Sequence, residues 1–408
     1  MDGKVDHAPH SLPTDYERAS SKQIAMKIQV TKKQIANAGL LVILCATWLA
    51  IGWIVRGWAM GPDAALVEQA RRQLLTQYPG ELPPNRELSY AAIRGMLDRA
   101  GDPYAALLEP PVASRFRDDF DGQSGAIGLH FEKVNEEIVI DAVYPGEPAD
   151  QAGLRAGDVI LAVDGVEFDA DTALAEVGLL IRGPVGEAAH IVVRRGGETL
   201  EFAPVRQERP TVSAQMLPGQ VAYMAQYAFT TNVAPQVEQA LQELLAQEPV
   251  GLIWDLRDNG GGSMDTTRDV LSYFIEDGLL FTAETQGGRR REFVAQGGGP
   301  ATDIPLVVLI DEGTYSAAET AAAAIKERGR GVLIGGATYG KGSILTTVPI
   351  GQDCMLQMTV AKWLSPSGEW YGGQGVPPDI VVDDDENTEG DEVLDFAVDY
   401  IQELTHSE

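Results

Sequence analysis

Two residues of this sequence, Ser316 and Lys341, have the side chains and the setting for nucleophilic catalysis. Each follows an apolar run of the kind that forms a buried strand, at 306–310 and at 331–336. All five histidines lie outside positions 211–400, so this stretch cannot contain a serine–histidine–aspartate triad. Because lysine can replace histidine as the base that activates a serine, the pair predicts a nucleophile and a general base.

Ser316 also has a purely structural explanation. The run Ser316-Ala-Ala-Glu319 matches a capping box, in which the serine hydroxyl accepts from a helical N–H and the glutamate bonds back. The two roles are compatible, because the N-terminus of a helix also favours the negative charge that develops on a carbonyl oxygen under attack. From the residues alone, both interpretations of Ser316 stay open.

Lys341 requires a special environment if it is to act as a base. It must be uncharged near the working pH, so its pKa must fall by several units from about 10.4. Burial lowers a lysine pKa, and Tyr339, Ile344 and Leu345 are the neighbours expected to supply dry surroundings. The alternative is a solvated lysine in a glycine-rich turn. A nucleotide-binding loop is disfavoured, since Gly342 occupies the position where that motif requires serine or threonine.

A third segment, at 255–262, reads Asp-Leu-Arg-Asp-Asn-Gly-Gly-Gly and follows the apolar run 250–254. Glycines leave backbone N–H groups bare, so this turn can donate hydrogen bonds to a group above the end of the strand. A tight strand-to-helix turn without a binding role explains the same residues. The segment therefore indicates a binding role only in combination with Ser316 and Lys341.

Composition excludes several classes of function. The chain has 408 residues, which predicts two or three domains. Its net charge of −29 argues against nucleic-acid binding, which needs clustered lysine and arginine. The two cysteines, Cys45 and Cys354, form no ligand pair, and the histidines are scattered, so no metal and no cofactor are expected.

An uncharged run of 21 residues at 35–55 has the length of a membrane-spanning helix. Four lysines precede it, whereas only Arg56 follows closely, so the positive-inside rule places residues 1–34 in the cytoplasm. The sequence therefore predicts a single-pass protein of the cytoplasmic (inner) membrane. Its catalytic part would lie on the extracytoplasmic side.

The rest of the chain divides by pattern into four regions. Residues 63–120 have helical periodicity, broken by prolines between two helices. Residues 121–208 contain short β-rich runs separated by glycine turns, and 211–382 alternate apolar strands with helices, as an α/β layered domain does. Residues 383–408 form an acidic tail that ends in a predicted helix.

The region 121–208 resembles a PDZ domain. The resemblance lies in Gly125-Ala-Ile-Gly-Leu129 and in Leu154-Arg-Ala-Gly-Asp-Val-Ile160. PDZ domains bind the C-terminus of a peptide as an added strand and hold its carboxylate with backbone N–H groups of a glycine loop. The resemblance implies that this loop consists of Gly125, Ala126, Ile127, Gly128 and Leu129.

Taken together, the segments resemble the C-terminal processing peptidases, also called tail-specific proteases. The similarity runs from about 90 to 382 and includes the PDZ region, 255–262, Ser316-Ala-Ala-Glu319 and Thr338-Tyr-Gly-Lys-Gly-Ser343. Further motifs are Gly101-Asp-Pro-Tyr104, Ser365-Pro-Ser-Gly368 and Gly373-Gln-Gly-Val-Pro-Pro-Asp379. The resemblance implies an α/β protease core related to the crotonase and Clp-protease folds, with an inserted PDZ domain.

The resemblance also implies roles for particular residues. Ser316 matches the nucleophile and Lys341 the general base, while the backbone N–H groups of Gly261 and Ala317 match the oxyanion hole. Substrates would be proteins or peptides with accessible apolar C-termini, which the PDZ domain binds or gates. The family also suggests a homodimer.

The sequence departs from the family at two positions close to these residues. Leu345 stands where the family usually has a glutamine that orients the lysine, and Tyr315 stands where small residues are more common. Either another group holds Lys341, or activity is weakened. The alternative to a membrane-anchored serine endopeptidase of Ser/Lys type is therefore a catalytically impaired, PDZ-containing scaffold that binds peptides.

Overall fold

The computed structural model describes residues 62–406, except positions 171, 173, 209, 352 and 384–389. The chain divides between Ser89 and Tyr90 into two units. The helices in the described part are α1 (Pro62–Gln77), α2 (Asn85–Ala100), α3 (Val112–Phe120), α4 (Pro148–Ala152), α5 (Leu174–Ile181), α6 (Val233–Leu245), α7 (Met264–Leu271), α8 (Ala317–Glu327) and α9 (Glu392–His406).

The strands are numbered in the same way. They are β1 (Ala106–Leu108), β2 (Ser124–Ala126), β3 (Leu129–Val134), β4 (Glu137–Val143), β5 (Val159–Val163), β6 (Val166–Glu167), β7 (Gly183–Pro184), β8 (Ile191–Arg195), β9 (Glu198–Phe202), β10 (Gln207–Glu208), β11 (Val212–Leu217), β12 (Val221–Gln226), β13 (Gly251–Asp255), β14 (Leu279–Thr285), β15 (Arg290–Val294), β16 (Leu306–Ile310), β17 (Val332–Gly335), β18 (Ser343–Ile350), β19 (Cys354–Leu364) and β20 (Ile380–Val381).

A six-stranded sheet in the order β11-β12-β13-β16-β17-β20 positions the candidate site. Its strands from β12 to β20 run parallel, and only β11 pairs antiparallel. Every residue of β13 and β16 is buried, as expected for strands covered on both faces. Because parallel strands end at the same edge, the segments after β13, β16 and β17 lie side by side there.

Helices cover both faces of this sheet. Helices α6, α7 and α8 contribute to one apolar cluster with the stacked rings of Trp254 and Phe274. Helix α9 packs on the other face through Val393, Ala397 and Ile401. The apolar runs at 250–254, 306–310 and 331–336 match strands β13, β16 and β17 to within one residue at each end, and the helix predicted at the end of the acidic tail appears as α9.

An ion-pair network joins helix α9 to the edge that carries the site. The guanidinium of Arg257, two residues after β13, donates to Asp255 and to Asp391, each at 2.7 Å. Asp391 immediately precedes α9 and also accepts a hydrogen bond from the N–H of Leu394. The segment after β13 is thus held both by β13 itself, through Asp255, and by the residue before helix α9, Asp391.

A second, antiparallel sheet in the order β1-β19-β14-β15, with β18 paired to β19, completes the core. The β-rich region forms its own antiparallel sheet in the order β3-β4-β5-β8-β9, with β3 at one edge. Its apolar cluster includes Ile127, Ile140 and Leu180, and also Val112 and Ala113 from helix α3. Helix α3 therefore packs with this β-rich region.

The localisation predicted from the sequence is corrected here. Among the residues that the structure describes, no helix is both long enough and apolar enough to cross a membrane. The predicted span at 35–55 and the tail at 1–34 lie outside the described residues. A single-pass protein of the inner membrane is therefore not supported, and the membrane has no part in the function proposed below.

Candidate active site

Ser316 occupies a strained turn between strand β16 and helix α8. Its backbone has φ 59° and ψ −114°, a region that L-residues with a side chain rarely adopt and that costs on the order of 1–3 kcal/mol. Neighbouring hydrogen bonds hold the turn: the N–H of Tyr315 donates to the carbonyl of Asn259 at 2.9 Å, and the Thr314 hydroxyl donates to that of Leu256 at 2.9 Å. The turn that carries Ser316 is therefore fixed to the segment after β13.

A buried carboxylate joins the serine turn to the lysine turn. Glu319 is fully buried, and its Oε2 accepts from the N–H of Ser316 at 2.8 Å and from the N–H of Lys341 at 3.0 Å. Its Oε1 accepts from the Thr338 hydroxyl at 2.7 Å and from the N–H of Gly340 at 2.5 Å. Since one oxygen binds both, the nitrogens of Ser316 and Lys341 are no farther apart than these two distances combined.

Glu319 matters more than the sequence indicated. It was predicted only as the far half of a capping box, and Ser316 and Glu319 do face one another in that way. Within this capping box, the Ser316 N–H donates a hydrogen bond of standard geometry to the Glu319 carboxylate. The further donors come from the turn after β17, and their approach to Glu319 depends on the tertiary fold.

Lys341 is largely removed from water. Burial lowers its pKa from 10.5 to about 8, although the nearby charge of Glu319 acts in the opposite direction. Its Nζ lies 4.4 Å from the ring centroid of Tyr315 and 5.4 Å from that of Tyr104. Tyr339, one of the expected neighbours, packs edge-on against Tyr315 and is 58% exposed. The dry surroundings of Lys341 thus include two rings that the sequence did not indicate for this role.

The glycine turn after β13 lies directly against the serine. A side-chain carbon built on Gly261 would be 2.7 Å from the nitrogen of Ala317 and 2.9 Å from the Cβ of Ser316. The N–H of Gly261 donates to the side-chain Oδ1 of Asn259 at 2.9 Å. The two predicted oxyanion donors, Gly261 and Ala317, are therefore neighbours, and one of them has an internal partner in this structure.

Asn259 was not singled out from the sequence. It is fully buried, and its Nδ2 donates to the carbonyl of Gln226 at 2.6 Å, which orients its Oδ1 toward Gly261. A side chain that satisfies a backbone N–H two residues along is an ordinary turn feature of asparagine. The order Asn-Gly-Gly-Gly in the sequence indicates such a turn. It does not indicate that the asparagine side chain occupies the N–H of Gly261, one of the predicted oxyanion donors.

The five residues predicted as the PDZ binding loop do not all lie in a loop. Gly125 and Ala126 belong to strand β2, which pairs with β7 and β10, and Leu129 opens β3. Ile127 and Gly128 form the turn between these strands, and their carbonyls accept from Ala149 and Tyr144. Strand β3 is at the edge of its sheet, where an added strand can pair.

The edge strand of the β-rich region approaches the site. The Nδ1 of His130, a residue of β3, lies within hydrogen-bond distance of Asp141 Oδ1, at 2.8 Å. Burial and the charge of Asp311 raise the pKa of Asp258, and His130 is close enough to oppose this shift. Asp258 belongs to the same turn as Gly261. Among the described residues, no three histidine, cysteine, aspartate or glutamate side chains are placed to hold a metal ion.

This arrangement brings together the groups that acyl transfer requires. A hydroxyl lies on a strained turn at a helix N-terminus, and a lysine with a lowered pKa is fixed to the same carboxylate as that turn. The backbone of Gly261 lies against Ala317 and the Cβ of Ser316. A serine attacks a carbonyl when a base removes its proton and donors receive the resulting oxyanion.

Comparisons with known proteins agree with this chemistry. The chain matches Peptidase family S41 over residues 220–382 and a PDZ domain over residues 139–195. It is 31% identical to the carboxy-terminal processing protease CtpB of Bacillus subtilis, over 78% of this chain and 67% of that protein. It is 33% identical to the carboxyl-terminal-processing protease of Synechocystis, over 81% of this chain and 80% of that protein.

A solved structure extends the comparison to the fold. The photosystem II D1 C-terminal processing protease is 31% identical and superposes with a TM-score of 0.56, over 77% of this chain and 86% of that one. The resemblance predicted from the sequence motifs is confirmed by these matches. The chain therefore belongs to peptidase family S41, the carboxy-terminal processing serine proteases, and carries a PDZ domain.

Proposed function

We propose that this chain is an endopeptidase of Ser/Lys type that cleaves proteins recognised through their C-termini. Ser316 is the nucleophile, Lys341 is the general base, and the N–H groups of Gly261 and Ala317 receive the oxyanion. The PDZ domain binds the substrate C-terminus or gates its entry. The observation that carries the proposal is the buried carboxylate of Glu319, which accepts from the backbone of both members of the pair.

The reaction follows from the states of these groups. The neutral amine of Lys341 takes the proton of the Ser316 hydroxyl as Oγ attacks the scissile carbonyl carbon. The amine then returns the proton to the leaving nitrogen, which leaves an ester on Ser316. The same amine then takes a proton from water as the water oxygen attacks the ester carbon. The bond from this carbon to Oγ breaks, the proton returns to Oγ, and the acid is released. For Gly261 to bind the oxyanion, its N–H must leave Asn259 Oδ1, so substrate binding shifts this hydrogen bond.

Two features of the PDZ domain support its part in the proposal. Strand β3 is an edge strand with mostly exposed residues, so a peptide can extend the sheet. His130 of this strand acts electrostatically on Asp258 of the catalytic turn. A peptide bound along β3 would therefore lie beside the turn that carries Gly261, where its presence can influence the site.

The test uses an unfolded protein with an apolar C-terminus as substrate. We expect cleavage by the unaltered chain and its loss, by a factor of about 10³ or more, in Ser316→Ala and in Lys341→Ala. Ser213→Ala and Lys362→Ala serve as controls, because both replace partly exposed residues outside the turns described above. Equal activity in Lys341→Ala and the unaltered chain would show that another base is used.

The proposal also fixes the direction of the pH dependence. Since Lys341 must be neutral and burial lowers its pKa to about 8, kcat/KM rises with pH through about 8 and then levels off. The measurement is kcat/KM from pH 6 to 9.5 in buffers of constant ionic strength. A profile that is flat over this range would argue against a lysine base.

The peptide-binding scaffold remains the second candidate function, because two observations favour it. The N–H of Gly261 already has an internal acceptor, and Leu345 offers no hydrogen bond to the lysine. Under this alternative the unaltered chain and Ser316→Ala bind substrates equally and cleave none. Binding measured beside cleavage, for both variants, separates the two functions.

A second copy of the chain is proposed as a further partner. Helix α1 exposes Leu66, Val67, Leu74 and Leu75, which a pairing of subunits would cover. Sedimentation equilibrium tests this pairing. We expect a dimer for the unaltered chain and a monomer for Leu66→Glu/Leu74→Glu, and a monomeric unaltered chain would refute it.

A further inference from the structure

We propose that the ring faces of Tyr104 and Tyr315 form the surface that orients the Lys341 amine toward Ser316, in place of a hydrogen-bonding side chain. Both tyrosines are positioning residues, and their phenol hydroxyls are not required for this role. The inference deepens the proposed function, since it rests on Lys341 being the base. Leu345 replaces the glutamine that usually orients this lysine, so another group must hold the amine.

The geometry around the amine carries the inference. Lys341 Nζ is 4.4 Å from the ring centroid of Tyr315 and 5.4 Å from that of Tyr104, both within the range of a cation–π contact. Tyr315 directly precedes the nucleophile, so the ring and the serine share one backbone turn. A lysine held against this ring is thereby tied to the turn that carries the serine.

Hydrogen bonds fix the backbone segments that carry the two rings. The N–H of Tyr315 donates to Asn259, and the Tyr339 ring packs against it at 4.7 Å with an interplanar angle of 68°. The N–H of Tyr104 donates to Asp102 Oδ1 at 3.0 Å, and Asp102 also accepts from the N–H and the hydroxyl of Thr359. The backbone of Tyr104 is thus attached through Asp102 to strand β19.

Leu345 lies on the same framework. In the sheet it stands opposite Thr359, the residue that fixes Asp102 and so Tyr104. Its side chain is apolar and cannot donate or accept a hydrogen bond. Leu345 therefore cannot orient the amine by a hydrogen bond, and we assign the directional interaction with the amine to the rings.

Aromatic faces meet two demands that a lysine base makes. They exclude water, which keeps the amine neutral before reaction, and their negative quadrupole attracts the ammonium that forms when the amine takes the serine proton. An aliphatic pocket would meet only the first demand. A carboxylate next to the amine would keep it protonated, as the effect of Glu319 on the Lys341 pKa indicates.

The other ionisable groups around Lys341 are compatible with this role. Glu319 of helix α8 accepts from the Lys341 backbone N–H, the Tyr104 and Tyr315 rings lie against the amine, and Tyr339 packs against Tyr315. Burial is the main reason why the pKa of Tyr315 and the pKa of Tyr104 lie above the ordinary value for tyrosine. Both phenols are therefore neutral wherever a lysine base works.

The test compares Tyr315→Ala with Tyr315→Phe, and likewise at Tyr104. The phenylalanine variants keep the ring, so we expect kcat/KM within about twofold of the unaltered chain. The alanine variants admit water to the amine. Because burial is the main cause of the lowered pKa, we expect this effect to outweigh the lost attraction of the ring, so the pKa rises and kcat/KM at pH 7 falls about tenfold or more. This loss shrinks as the pH rises, whereas a merely structural defect would lower the rate equally at every pH.

A second readout does not depend on proteolysis. In Ser316→Ala, acetic anhydride labels the Lys341 amine only when it is neutral, and mass spectrometry follows the labelling against pH. We expect a midpoint near pH 8, unchanged by Tyr315→Phe and by the control Tyr227→Ala, and moved upward by one pH unit or more in Tyr315→Ala.

These measurements separate the two proposals. If Tyr315→Ala leaves the labelling midpoint where it was, or if Tyr315→Phe behaves like Tyr315→Ala, the orienting role of the ring is refuted. If the midpoint moves as expected but the unaltered chain cleaves nothing, the rings do orient the lysine and the proposed function fails. Circular dichroism of each variant confirms that it folds.

Discussion

Burial of Lys341 has opposite effects on reactivity and on stability. Its pKa falls to about 8 in the folded chain from the ordinary 10.5, so between these values the unfolded chain binds more protons than the folded one. Stability therefore rises with pH across this window, and the penalty is fully present below about pH 8. A reactive lysine here makes the fold less stable at neutral pH.

Replacing this lysine by an apolar side chain of similar length removes that penalty. We expect Lys341→Met to increase the free energy of unfolding by about 1–3 kcal/mol at pH 7, and by much less at pH 10, while activity disappears. Urea unfolding at both pH values measures the change, with Lys362→Met as the partly exposed control. A destabilised Lys341→Met at pH 7 would contradict this account.

Glu319 presents the opposite case, a buried charge that is fully engaged. Its two oxygens accept four hydrogen bonds, three of them from backbone N–H groups that cannot change role. In Glu319→Gln an amide NH₂ faces one of these pairs of donors. We expect a loss of about 2–4 kcal/mol in unfolding free energy and of at least tenfold in kcat/KM.

The matched variant is Glu319→Asp, which keeps the charge but shortens its reach. We expect it to retain more stability than Glu319→Gln, because some donors still meet a carboxylate. Thermal unfolding and kcat/KM of the three chains are compared. A glutamine variant as active as the unaltered chain would show that the carboxylate does not align the two turns.

At the scale of the elements, the turn after β13 depends on close approach to the serine turn. Gly261 has φ 84°, and an added Cβ would lie 2.6 Å from the carbonyl oxygen of Tyr315. We expect Gly261→Ala to push the two turns apart and to lower kcat by about 10² or more. Gly260 has open space around it, so Gly260→Ala is the control with nearly unchanged kcat. Similar losses in both variants would argue against the close contact.

Elements that have a local pattern could be predicted from the sequence. The apolar runs at 306–310 and 332–334 indicate buried strands without any knowledge of their partners. The position of Ser316 at a helix start was also readable, from its capping box. Tyr104 was not, because it reaches Lys341 only after β1 pairs with β19, which joins distant parts of the chain.

The same limit applies to the oxyanion site. Gly261 and Ala317 were identified only through resemblance, since nothing in either segment indicates that they meet. The occupied N–H of Gly261 depends on the orientation of one buried amide, set by Gln226 from a neighbouring strand. Contacts of this kind follow from the assembled sheet, and a periodicity argument cannot supply them.

At the scale of the whole molecule, the PDZ domain and the candidate catalytic turns belong to separate sheets. If backbone N–H groups near Gly128 hold a substrate carboxylate, a free C-terminus is required. We expect Ser316→Ala to bind a peptide with an apolar free C-terminus at least tenfold more tightly than the same peptide amidated. Fluorescence anisotropy measures both affinities. Equal affinities would refute carboxylate capture by this domain.

The PDZ and protease families could be recognised from motifs that are contiguous in the chain, and the family matches confirm both. The predicted membrane location was wrong in that the described residues contain no spanning helix. A long apolar run shows that a segment could span a lipid bilayer, whereas the family motifs indicate which residues lie close together in the fold. The two kinds of signal therefore differ in what they predict.

The bridge from Arg257 to Asp255 and Asp391 makes the last helix a structural support of the catalytic turn. If helix α9 detaches in mild denaturant, the turn that bears Gly261 loses an anchor while the central sheet persists. Inactivation would then precede global unfolding. Loss of activity would then occur at a lower denaturant concentration than loss of the central sheet.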